Sequence, residues 1–140
     1  MELLVSISEE KVPSTGEPDP YMHIFLDAGM GNILAFFVFI NAKEMSRDLN
    51  TPIWVQHIAF ELESYEALVK AKAELESKGI NVIGITDHTI IKSIYFFDPN
   101  GHRLELTCRT GTDAEMKTLK DLSQVMLDEW SVTKVPPKHA

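Results

Sequence analysis

Two stretches of this chain echo each other, and that echo restricts the fold more than any other feature. Ile24-Phe-Leu-Asp-Ala-Gly-Met-Gly-Asn-Ile-Leu-Ala-Phe-Phe37 matches Tyr95-Phe-Phe-Asp-Pro-Asn-Gly-His-Arg-Leu-Glu-Leu106 when one extra residue is allowed in the first turn. Each copy is an apolar run, a glycine-containing turn and a second apolar run, the pattern of a β-hairpin. A chain with two such hairpins is built from a repeated module. If Gly31 aligns with Gly101, Leu34 matches Leu104 and Ala35 falls on Glu105, so the first copy lacks the carboxylate. In the same alignment His23 falls on Ile94.

The elements between and around the hairpins follow from local signals. Met22 to Leu26 and Ile33 to Ile40 read as the strands of the first hairpin, the second deeply buried because it is almost wholly apolar. Asn41 to Pro52 is polar and reads as a linker with a short helical turn, and Ile53 to Phe60 as a strand. Ser64 opens a helix whose Leu68, Ala71 and Leu75 keep helical spacing, and Gly79 stands where a helix-ending glycine belongs. Three strands follow, Ile80 to Ile85, Ile90 to Phe97 and Arg103 to Cys108, the last two joined by the turn Asp98-Pro-Asn-Gly101. Thr112 and Asp113 cap a final helix with Met116, Leu119, Leu122, Val125, Met126 and Trp130 along one stripe. The tail from Pro136 to Ala140 reads as disordered.

Composition narrows the function classes. The longest apolar run, Ile33 to Ile40, is far short of the roughly 20 residues that span a bilayer. The N-terminus has neither a basic stretch nor a cleavage site, so a cytoplasmic location is expected. A net charge of -8 argues against nucleic acid or anionic lipid as partner and leaves small molecules and other proteins. The single cysteine, Cys108, excludes an internal disulfide and sits in an alternating strand, where a packed thiol is expected.

The stretches Gln56-His-Ile-Ala-Phe, Thr86-Asp-His88 and Lys92-Ser-Ile-Tyr-Phe-Phe-Asp-Pro-Asn-Gly-His-Arg-Leu-Glu-Leu-Thr107 resemble the second module of the glyoxalase, bleomycin resistance and extradiol dioxygenase superfamily, the vicinal oxygen chelate proteins. The resemblance implies an α+β fold of paired βαβββ modules within a single domain over residues 1–140. Residues 1–40 form a partial first module, 53–109 a complete second module and 112–131 a C-terminal helix. Met1-Glu-Leu-Leu-Val resembles the segment that follows the first helix of the first module, so that module's opening strand and helix, which carry a metal histidine in the family, are expected to be missing.

What the resemblance implies for the site is specific. His57 and Glu105 fall on metal-ligand positions, and His23 is a candidate third ligand, as is a residue from a partner chain. A divalent metal is the expected cofactor, Fe(II) foremost and Mn, Zn or Ni as alternatives, because imidazole and carboxylate donors suit all of them. Tyr95 and His88 are the catalytic candidates, assisting proton transfer; read from residue type and not from the resemblance, Phe36, Phe37, Phe39, Phe60 and Trp54 are either core or an apolar pocket wall. His102 in the turn is expected to be exposed, and His139 belongs to the tail. The leading expectation is an extradiol ring-cleaving dioxygenase acting on a small aromatic or catechol-like molecule. Two alternatives stand beside it: a glyoxalase-like lyase, isomerase or thiol transferase with a redox-inert metal, and a non-catalytic binder of the bleomycin resistance kind. An incomplete module leaves sheet edges that a second copy can pair with, so a homodimer is expected.

Overall fold

A computed structural model describes residues 1–40 and 49–135, which form two compact units, Met1–Asp48 and Leu49–Ala140. The boundary falls in the polar linker, whose residues 41–48 lie outside the described residues, as do 136–140 of the tail. The architecture is α+β, with two sheets and a C-terminal helix. No helix among the described residues is long and apolar enough to cross a membrane.

The first unit is a three-stranded antiparallel sheet in which β1 (Leu3–Glu9), β2 (Tyr21–Gly29) and β3 (Asn32–Phe39) are neighbours in chain order. Its second hairpin strand is not deeply buried: Ile33, Phe36, Phe37 and Val38 are all exposed. No helix belongs to this unit among its described residues, so an apolar sequence alone could not bury β3.

The second unit carries the complete module. Strands β4 (His57–Glu61), β5 (Ile83–Asp87), β6 (Ile91–Phe97) and β7 (Arg103–Arg109) form a sheet in the order β4-β7-β6-β5, with α1 (Tyr65–Ser77) linking β4 to β5. The expected strand from Ile53 begins only at His57, because the chain from Pro52 turns on itself with Val55 N–H donating to the Pro52 carbonyl at 3.0 Å. Helix α1 is closed at both ends by its own sequence. The Ser64 hydroxyl accepts from Ala67 N–H at 3.1 Å. At the other end Gly79 takes a φ of 77°, while Gly79 and Ile80 N–H donate to the Glu76 and Leu75 carbonyls. The helix lays Leu68, Ala71 and Leu75 against one face of the sheet, where Leu68, Ile94 and Cys108 are fully buried together. Cys108 is thus a packed thiol, as its alternating neighbours suggested.

Strand β5 starts at Ile83 rather than Ile80 and runs on to Asp87, with a register irregularity between Gly84 and Thr86. Gly84 has φ of 109°, and a Cβ there would stand 2.7 Å from the Ser93 carbonyl oxygen, so glycine is needed where the strands approach. Helix α2 (Asp113–Thr133) starts with a capping box between Thr112 and Glu115. Met116, Leu119, Leu122 and Met126 of the predicted stripe are its half-buried positions, whereas Val125 and Trp130 are exposed.

Strand pairing corrects the internal alignment. In the first hairpin Phe25 pairs with Ala35 and His23 with Phe37; in the second Tyr95 pairs with Glu105 and Ser93 with Thr107. The strands therefore correspond without the extra residue, and His23 matches Ser93 rather than Ile94. The irregularity between Asp27 and Gly29 places Asp27 in the strand, whereas Asp98 stands in the turn. A one-residue slip moves a side chain to the opposite face of a sheet. His23 accordingly lies on the hairpin face that corresponds to the one bearing Tyr95 and Glu105.

Because Leu68 fills the centre of the second unit's core, Leu68→Ala is expected to lower its stability by about 2–5 kcal/mol, read from the midpoint of urea unfolding.

Candidate functional site

Strand β7 is paired on both sides, and its register assembles the site. On one side β4 runs parallel, setting His57 beside Arg103 and Ala59 beside Glu105. On the other side β6 runs antiparallel, setting Tyr95 opposite Glu105. Alternation along β7 turns Leu106 and Cys108 toward α1, and Arg103 and Glu105 to the opposite, open face. Since Ala59 is small, the His57 ring can reach diagonally to Glu105.

The two side chains meet there, His57 Nε2 standing 3.0 Å from Glu105 Oε2. Glu105 is only 5% exposed, whereas His57 is partly open to solvent. The other ring nitrogen, Nδ1, is 3.1 Å from the Val55 carbonyl oxygen and must be its donor. Both ring nitrogens thus face oxygen acceptors. A neutral imidazole carries one N–H, so the contact with Glu105 requires a second proton or a cation between lone pair and carboxylate. Metal–nitrogen and metal–oxygen bonds of about 2.1 Å set at right angles hold their donor atoms about 3 Å apart. Donor set, separation and the carbonyl that orients His57 therefore fit a divalent cation.

Tyr95 closes the other flank. Its hydroxyl is 2.8 Å from His88 Nε2, and its ring stands edge-on to His57, with ring centres 6.0 Å apart. Burial pushes its hydroxyl above the usual tyrosine range, and the negative charge on Glu105 adds to the effect. The hydroxyl thus stays protonated. His88 is held by a tight turn in which Asp87 Oδ1 accepts from Thr89 N–H at 2.8 Å and His88 N–H donates to the Ile91 carbonyl at 2.9 Å. Lys92, 3.0 Å from Asp87, keeps that carboxyl below its ordinary range, with the Thr89 amide contributing further.

A cavity of about 320 Å³ opens over this face, lined by His57, His88 and Tyr95 together with Trp54, Ile83, Thr86 and Arg103. Arg103 is the residue that sequence reasoning passed over. Its guanidinium carbon lies 4.1 Å from the centre of the Tyr95 ring. The signal was available, since a residue two positions from Glu105 on a strand shares its face.

Other candidates lie elsewhere. Phe60 alternates to the opposite side of β4 from His57. Phe36 and Phe37 belong to the first unit, and the Phe39 side chain lies outside the described set. His102 is exposed in the turn, where its N–H donates to Asp98 Oδ1 at 2.8 Å. His23, in the first unit, stacks on Phe37 at 3.8 Å and lies 4.1 Å from Phe25, with its buried Nε2 lacking a hydrogen-bond partner. Among the described residues, no group of three or more His, Cys, Asp or Glu side chains converges to hold a metal.

The family model of the glyoxalase/bleomycin resistance protein/dioxygenase superfamily matches residues 5–106, most of the chain. The chain belongs to this superfamily. Solved structures agree on the fold. A glyoxalase family protein from Bacillus cereus is 14% identical and superposes with a TM-score of 0.57, covering 78% of each chain. The trypanothione-dependent glyoxalase I of Leishmania major is 17% identical with a TM-score of 0.53, covering 94% of this chain and 81% of its own. A mutant of the fosfomycin resistance protein FosX from Listeria monocytogenes, complexed with Mn(II) and a dihydroxypropylphosphonic acid, is 20% identical with a TM-score of 0.50, covering 83% and 77%. As superfamily folds go, the first unit supplies counterparts of β5, β6 and β7 only; no counterpart of β4 and α1 is present in it among the described residues.

The raised Tyr95 hydroxyl gives a pH prediction. The native state holds this proton to higher pH than the unfolded chain, whose tyrosine titrates near 10.0. Its contribution to stability is therefore complete below that pH and is lost as pH rises through the native titration. In ultraviolet titration, Tyr95→Phe is expected to remove a tyrosinate signal that develops above pH 10.0, and to flatten the alkaline fall in stability.

Proposed function

We propose that this superfamily member is a metal-dependent enzyme that performs proton transfer on a small oxygenated substrate at the open face of the second unit. His57 and Glu105 would hold the metal, with Tyr95 and His88 as the acid-base pair. The observation that carries this is the 3.0 Å approach of His57 Nε2 to Glu105 Oε2 while Nδ1 is already engaged by the Val55 carbonyl. A divalent ion bound there would supply Lewis acidity toward substrate oxygens.

The chain's own groups set up the remaining chemistry. With a metal bound, the Val55 carbonyl would keep the His57 proton on Nδ1 and leave the Nε2 lone pair for the ion. Tyr95, kept protonated by burial and by Glu105, is suited to donate its phenolic proton, and His88 at 2.8 Å is placed to exchange protons with it. Trp54 and Ile83 supply the apolar wall against which a small substrate packs. The Mn(II) bound by the FosX mutant, a protein similar in fold, is in keeping with a divalent metal at this place.

Extradiol ring cleavage on Fe(II) is the second reading. It is favoured by the Tyr95–His88 hydrogen bond, since that pair is what a catechol would need for proton removal, and by the indole in the cavity wall. Dioxygen separates the two: with Fe(II) and a catechol panel, cleavage under air but not under nitrogen supports the dioxygenase, and turnover indifferent to oxygen supports the first reading.

Metal content tests both at once. Dialysis against Mn(II) or Fe(II) followed by elemental analysis is expected to leave stoichiometric metal on the wild-type chain, with His57→Ala and Glu105→Gln each weakening it at least about tenfold. A chain that takes up no metal would instead be a binding protein. We also read the chain as a homodimer. The exposed Ile33, Phe36 and Val38 on edge strand β3 support that reading, and sedimentation equilibrium is expected to give twice the chain mass.

A further inference from the structure

Arg103 is a fixed positive charge in the cavity for which the chemistry above has no use. It stands directly across the β4–β7 ladder from His57 and lines the same cavity. A guanidinium is always charged and carries five N–H donors with no acceptor. The face of Tyr95 at 4.1 Å attracts its charge but offers its N–H groups no oxygen acceptor. One of them, Nε, is buried and meets no hydrogen-bond partner. Among the described residues Arg103 makes no ion pair: the Glu105 carboxylate two residues away is engaged by His57 instead. Among the described residues no aspartate or glutamate lines the cavity, although the chain as a whole has 21 acidic residues against 13 basic ones. Leaving a donor unmet is unfavourable, and an acceptor carried by a bound molecule would meet the guanidinium where it lines the cavity.

We infer that Arg103 binds an oxyanion of the substrate, a carboxylate or a phosphonate, so that this enzyme takes small anionic molecules. The planar fork of the guanidinium matches either group with two parallel hydrogen bonds, and a Lys at this place could offer only a point charge. The Thr86 hydroxyl and the Trp54 ring line the same cavity and suit the remainder of a compact molecule, which a volume of about 320 Å³ limits in size. The anion is thereby anchored beside His57 and Tyr95, which makes Arg103 a residue that selects and orients the substrate. The inference rests on the reading of this cavity as the substrate site, but it does not depend on a metal.

The test uses the full chain stripped of metal with EDTA and titrated by calorimetry with phenylphosphonate, benzoate and the neutral benzamide. Saturable binding of at least one anion is expected, at least about tenfold weaker in Arg103→Gln and only partly restored in Arg103→Lys, with benzamide unaffected by either substitution. The tighter anion names the group. Quenching of tryptophan fluorescence by the bound anion, lost in Trp54→Phe, would locate it in this cavity. Absence of saturable anion binding by the wild type, or equal affinity in Arg103→Gln, would overturn the inference. Should Arg103→Gln fail to show the wild-type circular dichroism, the Arg103→Lys comparison decides alone, wild-type affinity counting against the fork. Mn(II) dialysis of the same variants keeps the two ideas apart: metal uptake is expected to survive Arg103→Gln. Anion binding that needs Arg103 in a chain without metal affinity would sink the metal reading and leave this one standing.

Discussion

A carboxylate buried in the middle of a doubly paired strand has only the neighbouring strands to turn to, and Glu105 is in that position. Removing a charge from water costs several kcal/mol unless partners replace the lost solvation. Strand β4 supplies the imidazole of His57 at 3.0 Å, and β6 sets Tyr95 opposite Glu105 on the other side. The rest of the site follows from that need. His57 is oriented by the Val55 carbonyl, which lies in the turn just ahead of β4, so the late start of that strand is what brings an acceptor to Nδ1. The charge of Glu105 in turn helps keep the Tyr95 hydroxyl protonated, and thereby able to bond to His88.

The two hairpins show how one backbone plan carries different chemistry. Their strands pair in the same register, yet the rungs have diverged. Where the second hairpin has Tyr95 across from Glu105, the first has Phe25 across from Ala35. Where the second has Ser93 hydrogen-bonded to Thr107 at 3.0 Å, the first stacks His23 on Phe37. Backbone hydrogen bonds and turn geometry hold the register regardless of these side chains, which leaves the faces free to change. The second hairpin carries polar pairs on this face, while the first keeps an aromatic face with one unpartnered imidazole nitrogen.

Much of the fold was legible because its signals are local. Ser64 and Gly79 bracket α1 through hydrogen bonds that reach only three to five residues, and Asp98 organises its turn by accepting from Asn100 and His102 N–H. Thr112 and Glu115 announce α2 in the same way. Burial and register were not legible. The apolar run of β3 reads as core, but burial needs a covering layer that sequence cannot place. The first hairpin invites a gap because Asp27 and Asp98 look alike, although a bulge makes one a strand residue and the other a turn residue.

For the site, the sequence by itself determined the residue types and the faces: alternation puts Arg103 and Glu105 together on β7, and the motif around them shows which superfamily is present. Only the tertiary structure decided who meets whom. That His57 reaches Glu105 rather than Arg103, that Tyr95 finds His88, and that the Arg103 Nε is left without an acceptor depend on strands distant in the chain coming into register. Local preferences act over a few residues, whereas cross-strand contacts are settled by which pairing buries the most apolar surface while satisfying every backbone donor.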